Sequence, residues 1–348
     1  MRLEKKKADT PWHICEEQRE LLPNITGNEI NGLGEAQQRR PNIVYWPNDS
    51  QRAPGTEIPQ VSKHPYGPVI NWFRKQSAPP VRDVYMDFGN RAPRVLNELS
   101  TKTITDTPEN WTRKVKEFVL AVEGKLVGIT ALKSEWFYGN EDPVDFPWVV
   151  MIGAPMNYEK MLHVPPTIED PQASVEVGEI YNKVDRAAGK LANWIRAQGW
   201  DAENQGGPNS GKMIMIPAAL ACGFGELGRH GSIINREYGS LIRLSCVRTS
   251  LPLLPDDADI FGADDFCTQC QICTRDCPVD AIVPEKQLVR GDQKWYVNFD
   301  KCVPYFNENQ GCAICITVCP WSKPGTAPKL AERMTRRKQR LKNSTAQQ

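Results

Sequence analysis

Long apolar runs are missing from this chain. A membrane-spanning helix needs about 20 consecutive apolar residues, and the longest stretches here, such as Met213 to Phe224, fall well short. No apolar segment follows the charged start Met1-Arg-Leu-Glu-Lys-Lys-Lys7, as a secretory signal would require. Arg39-Arg40 is a twin arginine with no hydrophobic segment behind it. The expected compartment is therefore the cytoplasm. Excess charge is missing too. Lys and Arg number 43 against 42 Asp and Glu, a formal charge of +1, so the basic signature of a nucleic-acid partner is absent. Histidine is scarce, at four. Against these absences stand 28 prolines, 25 glycines and 11 cysteines. The hydrophobic content of 40% supports an ordinary globular core, and 348 residues suit two or three packed units.

Eight of the eleven cysteines fall between Cys267 and Cys319. The first four follow C-x2-C-x2-C-x3-C-P, at Cys267, Cys270, Cys273 and Cys277 before Pro278; the rest are Cys302, Cys312, Cys315 and Cys319 before Pro320. This spacing resembles the bacterial two-cluster ferredoxins, in which three cysteines hold one iron–sulfur cube and the fourth reaches the other. The resemblance implies one [4Fe–4S] cluster on Cys267, Cys270, Cys273 and Cys319, and a second on Cys277, Cys302, Cys312 and Cys315. Zinc prefers separated cysteine or Cys/His pairs in sets of four, which a crossed triple suits poorly. Disulfides at such spacing close strained loops, and no secretory context accompanies them. Clusters carry electrons only, so the substrate site is expected elsewhere in the chain.

Residues 1–108 read as an irregular, wrapping N-terminal region, polar and Pro-rich around Trp46–Pro54, with Trp12, Trp46 and Trp72 as packing or entrance-lining residues. A regular core spans 109–260. Val115, Phe118, Val119 and Val122 predict a helix capped by Asn110 or Thr112 and stopped at Gly124. Strands are expected over 126–132, 147–153 and 241–247, and a helix over Val184–Ile195 closed by Gly199. Alternating strands and helices argue for α/β layering. The cluster domain follows over 261–326, with a strand expected at Trp295–Asp300. A basic tail spans 327–348, either a solvated helix face or a dock for an acidic electron donor.

Gly223-Phe-Gly225-Glu-Leu-Gly228 matches G-x-G-x-x-G literally. A dinucleotide site requires a strand before the turn and an acidic residue about twenty positions on. The segment before it contains Pro217 and three alanines, and Arg243 and Arg248 stand near the second position. Nicotinamide binding is not expected. The glycines still imply that backbone approaches something closely, a large cofactor being one candidate.

Residues 218–231, followed by Ile234-Asn-Arg-Glu-Tyr-Gly-Ser-Leu-Ile-Arg-Leu244, Val247-Arg-Thr-Ser-Leu-Pro-Leu253 and the ending Gly311–Pro324, resemble the cobalamin-dependent reductive dehalogenases. The likeness spans roughly residues 110–325. Phe224, Ser250 and Asn235-Arg236 depart from that family's usual leucine, aspartate and Thr-Pro. The resemblance implies an α+β fold, with an α/β nitroreductase-like cobalamin-binding core and a C-terminal ferredoxin-like domain carrying two [4Fe–4S] clusters. It also implies an oxidoreductase that replaces the halogen of an organohalide, a halogenated aromatic among the candidates, by hydrogen. The corrinoid would be base-off, and His13, His64, His163 and His230 form no D-x-H-x-x-G lower-ligand motif. Electrons would come from an external donor such as a ferredoxin or flavodoxin.

Further implications concern single residues. The family's proton donor is a tyrosine, for which Tyr181 is the candidate, expected just upstream of its helix. A nearby cation would favour phenolate, and Lys212, Arg229 and Arg243 are the candidates. Arg229 could instead hold its turn together or contact a cofactor side chain. Gly223, Gly225, Glu226, Gly228 and Arg229 form the turn expected to meet the cofactor. Asn204 and Asn209 could donate hydrogen bonds to cofactor or substrate. Trp136, Phe137 and Tyr138 line an aryl pocket or belong to the core, and Cys222 and Cys246 read as core residues. The cluster on Cys277, Cys302, Cys312 and Cys315 is expected nearer the cobalt. Epoxyqueuosine reductase, of the same superfamily, is the second reading: its V-D-T-A-P context is matched in part by Val184-Asp-Arg-Ala-Ala188. An electron-transfer subunit with two clusters is the third.

Overall fold

A computed structural model describes residues 12–45, 63–86, 96–139, 141, 146–206 and 211–345. Its centre is a four-stranded sheet in the order β1-β2-β6-β3, where β1 is Leu126–Ala131, β2 Trp148–Pro155, β3 Ala202–Gln205 and β6 Ile242–Thr249. Every pairing is antiparallel. The layering inferred from alternating helices and strands is thus realised as α+β: neighbouring strands are all antiparallel, and β2 and β3, which run the same way, are separated by β6.

The period-2 alternation of β2 explains why this strand is central. Val150 and Ile152 join Ile129 and Val247 in a core beneath two helices, α5 (Pro108–Ala121) and α7 (Gln172–Ala197). Val149 and Met151 point the other way, into a second core with Phe137, Phe224 and Cys246. Burial of such side chains contributes about 1.5–3 kcal/mol each, so both faces hold the sheet. Cys222 and Cys246 pack here as expected, and so do Trp136 and Phe137, which belong to the core.

Helix α5 buries Trp111, Val115 and Val119 at a spacing of four, one stripe of its surface. Its cap is Thr107, whose hydroxyl accepts the Asn110 N–H, with Pro108 at the first turn. The caps expected at Asn110 and Thr112 are corrected accordingly. Helix α7 runs 26 residues and begins twelve positions before the Val184 start that periodicity suggests. Its first half hid from a hydrophobic pattern because its buried face is polar. Glu176 accepts the Asn157 N–H at 2.6 Å and pairs with Lys160 at 2.9 Å; Asn182 donates to the Val84 carbonyl at 2.9 Å.

The glycine turn follows a helix, α8 (Met215–Ala221), not a strand, and leads into the two-residue strands β4 (Glu226–Leu227) and β5 (Ile233–Ile234). The cluster domain contains the small hairpin β7 (Gln287–Val289) and β8 (Asp292–Lys294). The strand expected at Trp295–Asp300 is replaced by one isolated bridge, Ile282 to Val297, and by a helix starting at Phe299. Asn298 caps that helix through the Lys301 N–H, a local polar signal that outweighs the alternation before it.

Residues 12–45 lie against this helix, Phe299–Glu308. Trp12 donates to Glu308 at 2.9 Å, Gly27 N–H to Asp300 at 2.7 Å, and Tyr45 to Asn307 at 2.5 Å. Trp12 also meets Tyr305 edge-on. Trp46 and the segment 46–54 lie outside the described residues. No helix among the described residues is long and apolar enough to cross a membrane.

Candidate active site and cluster-binding domain

The eight cysteines gather into two sets. The Cys319 thiol feels those of Cys267 and Cys273, and Cys267 in turn feels Cys270 and Cys273. Cys312 feels Cys302 and Cys277, and Cys315 feels Cys312, Cys302 and Cys277. Cys315 also feels Cys273, so the two sets adjoin. Four consecutive residues, Gln310 to Ala313, hold positive φ between 46° and 104°. Three of them are not glycine, an uncommon arrangement that turns the chain sharply at Cys312.

Burial pushes these thiols up: Cys273 to about 11, and Cys267, Cys302, Cys312 and Cys319 to about 12. Thiolates are costly in such surroundings unless cations compensate them. The cations of an iron–sulfur core do that, so this donor set fits two clusters.

The glycine turn serves the junction between the two halves. The Glu226 carboxylate accepts the N–H groups of Phe261 (2.9 Å), Gly262 (2.6 Å) and Ala263 (2.8 Å). It thereby anchors the start of helix Ala263–Gln269, which carries Cys267. Arg229, 1% exposed, donates to the Cys267 carbonyl at 3.1 Å and to the carbonyls of Val283 and Pro284. Its guanidinium lies 4.4 Å from the centre of the Trp295 ring. Both side chains were candidates for a cofactor contact, Arg229 also for holding its turn together; the partners they have here are in the cluster domain. The glycines have a similar explanation. Gly225, at φ 124°, leaves no room for a Cβ against the Ile234 carbonyl, and Gly228 presses on the His230 ring. Gly223, at φ 89°, faces the Asp257 carbonyl. The close approach is to the chain's own backbone and a neighbouring ring.

On the sheet's α7 side, Tyr181 and Arg243 come together. The guanidinium lies 5.3 Å from the centre of the phenol ring. Tyr181 sits inside helix α7, not upstream of it, and Arg243 is on β6 opposite Ala154. One guanidinium nitrogen donates to the Ile242 carbonyl at 3.0 Å, while Nε is buried without a partner. A buried donor left unmade costs about 1–3 kcal/mol, so an acceptor brought by a bound group would be accommodated here. That orphan fits a polar cofactor or substrate edge beside Tyr181.

The other expected residues lie elsewhere. Lys212 pairs with Glu203 at 3.4 Å, which also takes Arg248 at 3.2 Å. Asn204 is half-buried on β3 opposite Val247, and Asn209 lies outside the described residues. A cavity of about 500 Å³ between the glycine turn and the cluster domain is lined by Leu220, Leu227, Ile260 and Trp295 among others, not by Tyr181 or Arg243.

His230 and Ser240 were missed as functional candidates. His230 is buried, with Nε2 2.9 Å from the Ser240 hydroxyl. No spacing rule joins these two residues; only the fold does.

The 4Fe-4S dicluster domain family matches residues 266–323, which makes this segment an iron–sulfur domain. A tetrachloroethene reductive dehalogenase of Desulfitobacterium hafniense is 33% identical over 167 residues, covering 44% of this chain and 30% of that protein. An epoxyqueuosine reductase of Synechocystis sp. is 27% identical over 170 residues, 43% of this chain and 54% of that one. Among solved structures, the catabolic reductive dehalogenase NpRdhA superposes with a TM-score of 0.65 at 21% identity, over 90% of this chain and 48% of its own. The match thus spans less than a third of the dehalogenase sequence and about half of the solved chain. In sequence the chain is similar to the reductive dehalogenases and, more distantly, to the epoxyqueuosine reductases, and its fold is that of a reductive dehalogenase structure.

Proposed function

We propose that this protein is a corrinoid and iron–sulfur oxidoreductase that removes halogen reductively from an organohalide. The observation that carries the reading is the joint presence of eight buried or half-buried cysteines in two adjoining sets and the Tyr181–Arg243 pair on a separate core. In this reading residues 109–260 form the catalytic core and residues 261–326 feed it. Cys267, Cys270, Cys273 and Cys319 hold one [4Fe–4S] cluster; Cys277, Cys302, Cys312 and Cys315 hold the other. The overall change balances as organohalide plus two electrons plus one proton, giving the hydrogenated product and halide.

A bound corrinoid supplies the reductive cleavage of the carbon–halogen bond. The chain does the rest. Tyr181 delivers its phenolic proton to carbon, and the Arg243 guanidinium stabilises the phenolate that remains, since a nearby cation favours the charged form. Each cluster passes one electron at a time from an external reductant such as a ferredoxin or flavodoxin. Arg243 Nε meets an acceptor of the bound group, and Asn204 is a further donor to it. The nitroreductase-like core, the crossed ligand sets and the greater nearness of the Cys277 set to the corrinoid belong to the same proposal.

The test is anaerobic reconstitution followed by cobalt and iron analysis, then incubation with haloalkenes and halophenols and a low-potential reductant. Expected are stoichiometric corrinoid, eight irons per chain in the proposed clusters, and halide release. Eight irons with no affinity for cobalamin would leave only an electron-transfer subunit. Asp185, buried one helical turn from Tyr181, favours a second reading as a tRNA-epoxide reductase. Turnover of epoxyqueuosine-containing tRNA without halide release would establish that alternative.

A further inference from the structure

We infer that the outward face of helix Thr326–Thr345 docks a small acidic electron-carrier protein, which delivers its electrons to the cluster on Cys267, Cys270, Cys273 and Cys319. The inference rests on the proposed function and deepens it, because it names the surface at which the external reductant meets the chain.

Charge is the starting point. The helix holds seven lysines and arginines and one acid, Glu332, in a chain whose formal charge is only +1. Everything outside the helix is therefore net acidic. Ala327, Ala331 and Met334 are buried at steps of four and three, the stripe that holds the helix to the protein. Lys329, Arg333, Arg336 and Arg340 are exposed at similar steps, two positions on. At 3.6 residues per turn, two positions are a rotation of about 200°. The cations thus stand opposite the buried stripe, with Arg337 exposed beside Arg333. Among the described residues, the one ion pair recorded on this helix joins Arg336 to Glu332.

The buried stripe shows what the helix covers. Ala327, Ala331 and Met334 belong to one core with Phe261, Cys267, Cys319 and Trp321. A Cβ on Gly262, the residue before the Cys267 helix, would lie 3.2 Å from that of Met334. The basic helix therefore packs directly on one cysteine set. The two sets meet where Cys273 packs with Cys277, Cys302 and Cys315. Cys315 and Ile316 in turn pack with Ile180, Val184 and Leu241, the chain neighbours of Tyr181 and Arg243. Electrons entering under the helix have a packed route through both sets toward that pair.

The residue types on the helix select the partner. Leu330 and Met334 point inward, and none of the exposed large hydrophobic side chains among the described residues belongs to this helix, so it offers a bilayer nothing to bury. It carries no aromatic residue on which a nucleic-acid base could stack. What remains is exposed positive charge on a rigid element, which suits an acidic protein surface. Such complementarity raises association rates by about 10–10³. Electron-transfer encounters need little area, below about 1,200 Å². Each encounter oxidises the carrier by one electron and reduces the cluster by one, and two encounters supply the two electrons that one halide release consumes.

The test is stopped-flow reduction of the reconstituted full chain by reduced flavodoxin, an acidic carrier, over a range of salt. Methyl viologen radical serves as the small reductant that needs no docking. The variant Arg333→Glu/Arg337→Glu/Arg340→Glu changes exposed residues only. Its bimolecular rate with flavodoxin is expected to fall by about 10–100-fold at low salt. The rate should approach wild type near 1 M salt, where charges are screened beyond about 3 Å. Reduction by viologen should not slow, and iron per chain should not change. Lys75→Glu/Lys102→Glu/Lys125→Glu applies the same total charge change at other exposed positions and should slow flavodoxin far less. A helix variant reduced by flavodoxin at the wild-type rate would overturn the inference, and so would equal slowing by the second variant. Wild type that binds a tRNA stem-loop or phosphatidylglycerol vesicles more tightly than flavodoxin, and loses that binding in the helix variant, would give the face to another partner and overturn it too. The proposed function is judged separately, by iron per chain and by halide released with viologen alone; both can stand while the carrier ignores the helix.

Discussion

The Arg243 guanidinium stands over the Tyr181 ring at 5.3 Å, joining the middle of the longest helix among the described residues to the second residue of a central strand. Neither element would hold the pair alone. Ser245, two residues along the strand, ties it to the helix by donating to the Val184 carbonyl at 2.6 Å. The pair is thus built on rigid elements and coupled to the packing of the core.

Tyr181→Phe removes the phenolic proton and keeps the ring beneath Arg243. Halide release is expected to fall by about 10²–10⁴, the usual contribution of a positioned acid, while unfolding free energy moves by no more than about 0.5 kcal/mol. Single-turnover assays under a low-potential reductant check the rate, and urea titration checks the fold. Dehalogenation at the wild-type rate would remove Tyr181 from the reaction.

The crossed ligand sets predict which cluster each cysteine serves. Cys277→Ser lies within the first cysteine block in sequence, yet should damage the cluster shared with Cys302, Cys312 and Cys315 and spare its neighbour. Spectra of the reduced variant, with iron per chain, decide the matter. Loss of the Cys267-set signal alone would refute the crossing.

Arg229 links the two halves through carbonyls 38 to 55 residues downstream. Arg229→Met keeps the stem and the packing against Trp295 but strips donors from Cys267, Val283 and Pro284. A buried carbonyl left without its donor costs about 1–3 kcal/mol. Urea unfolding should show that loss, and iron should leave the Cys267 set first on dilution into chelator. Wild-type stability in this variant would show that the junction is held by other contacts.

These distances in sequence explain what could be read without a structure. Strands β1, β2 and β6 announce themselves by short apolar runs, and the proposed cysteine crossing is what the resemblance to two-cluster ferredoxins implies. The first half of α7 does not announce itself, because Glu176 and Asn182 are polar residues on a buried face, and their partners lie on other segments. The antiparallel strand order depends on contacts no local pattern encodes. The same holds for Glu226 and Arg229: their residue types suit a cofactor as well as a helix start or a set of carbonyls. Only the fold chooses between these partners. Tyr181 and Arg243, 62 positions apart, were legible as candidates through family resemblance alone.

His230 gives the protein a specific acid sensitivity. Its ring is 5% exposed and neutral, with a pKa lowered by burial from 6.5 to about 4. In the unfolded chain the same ring titrates near 6.5. Between those two values the unfolded state binds a proton that the folded state refuses, so stability falls as pH falls. The contribution is whole above about pH 6.5, declines by about 1.4 kcal/mol per pH unit below it, and is spent once pH passes through 4, a total of about 3 kcal/mol. His230→Phe has no such proton to take up. Urea unfolding of both proteins from pH 8 to pH 5 should therefore give curves that differ by a constant above pH 7 and converge below pH 6.5, the wild type losing more. Parallel curves across the range would mean that His230 keeps a near-normal pKa, and with it that the ring is not the buried neutral neighbour of Ser240.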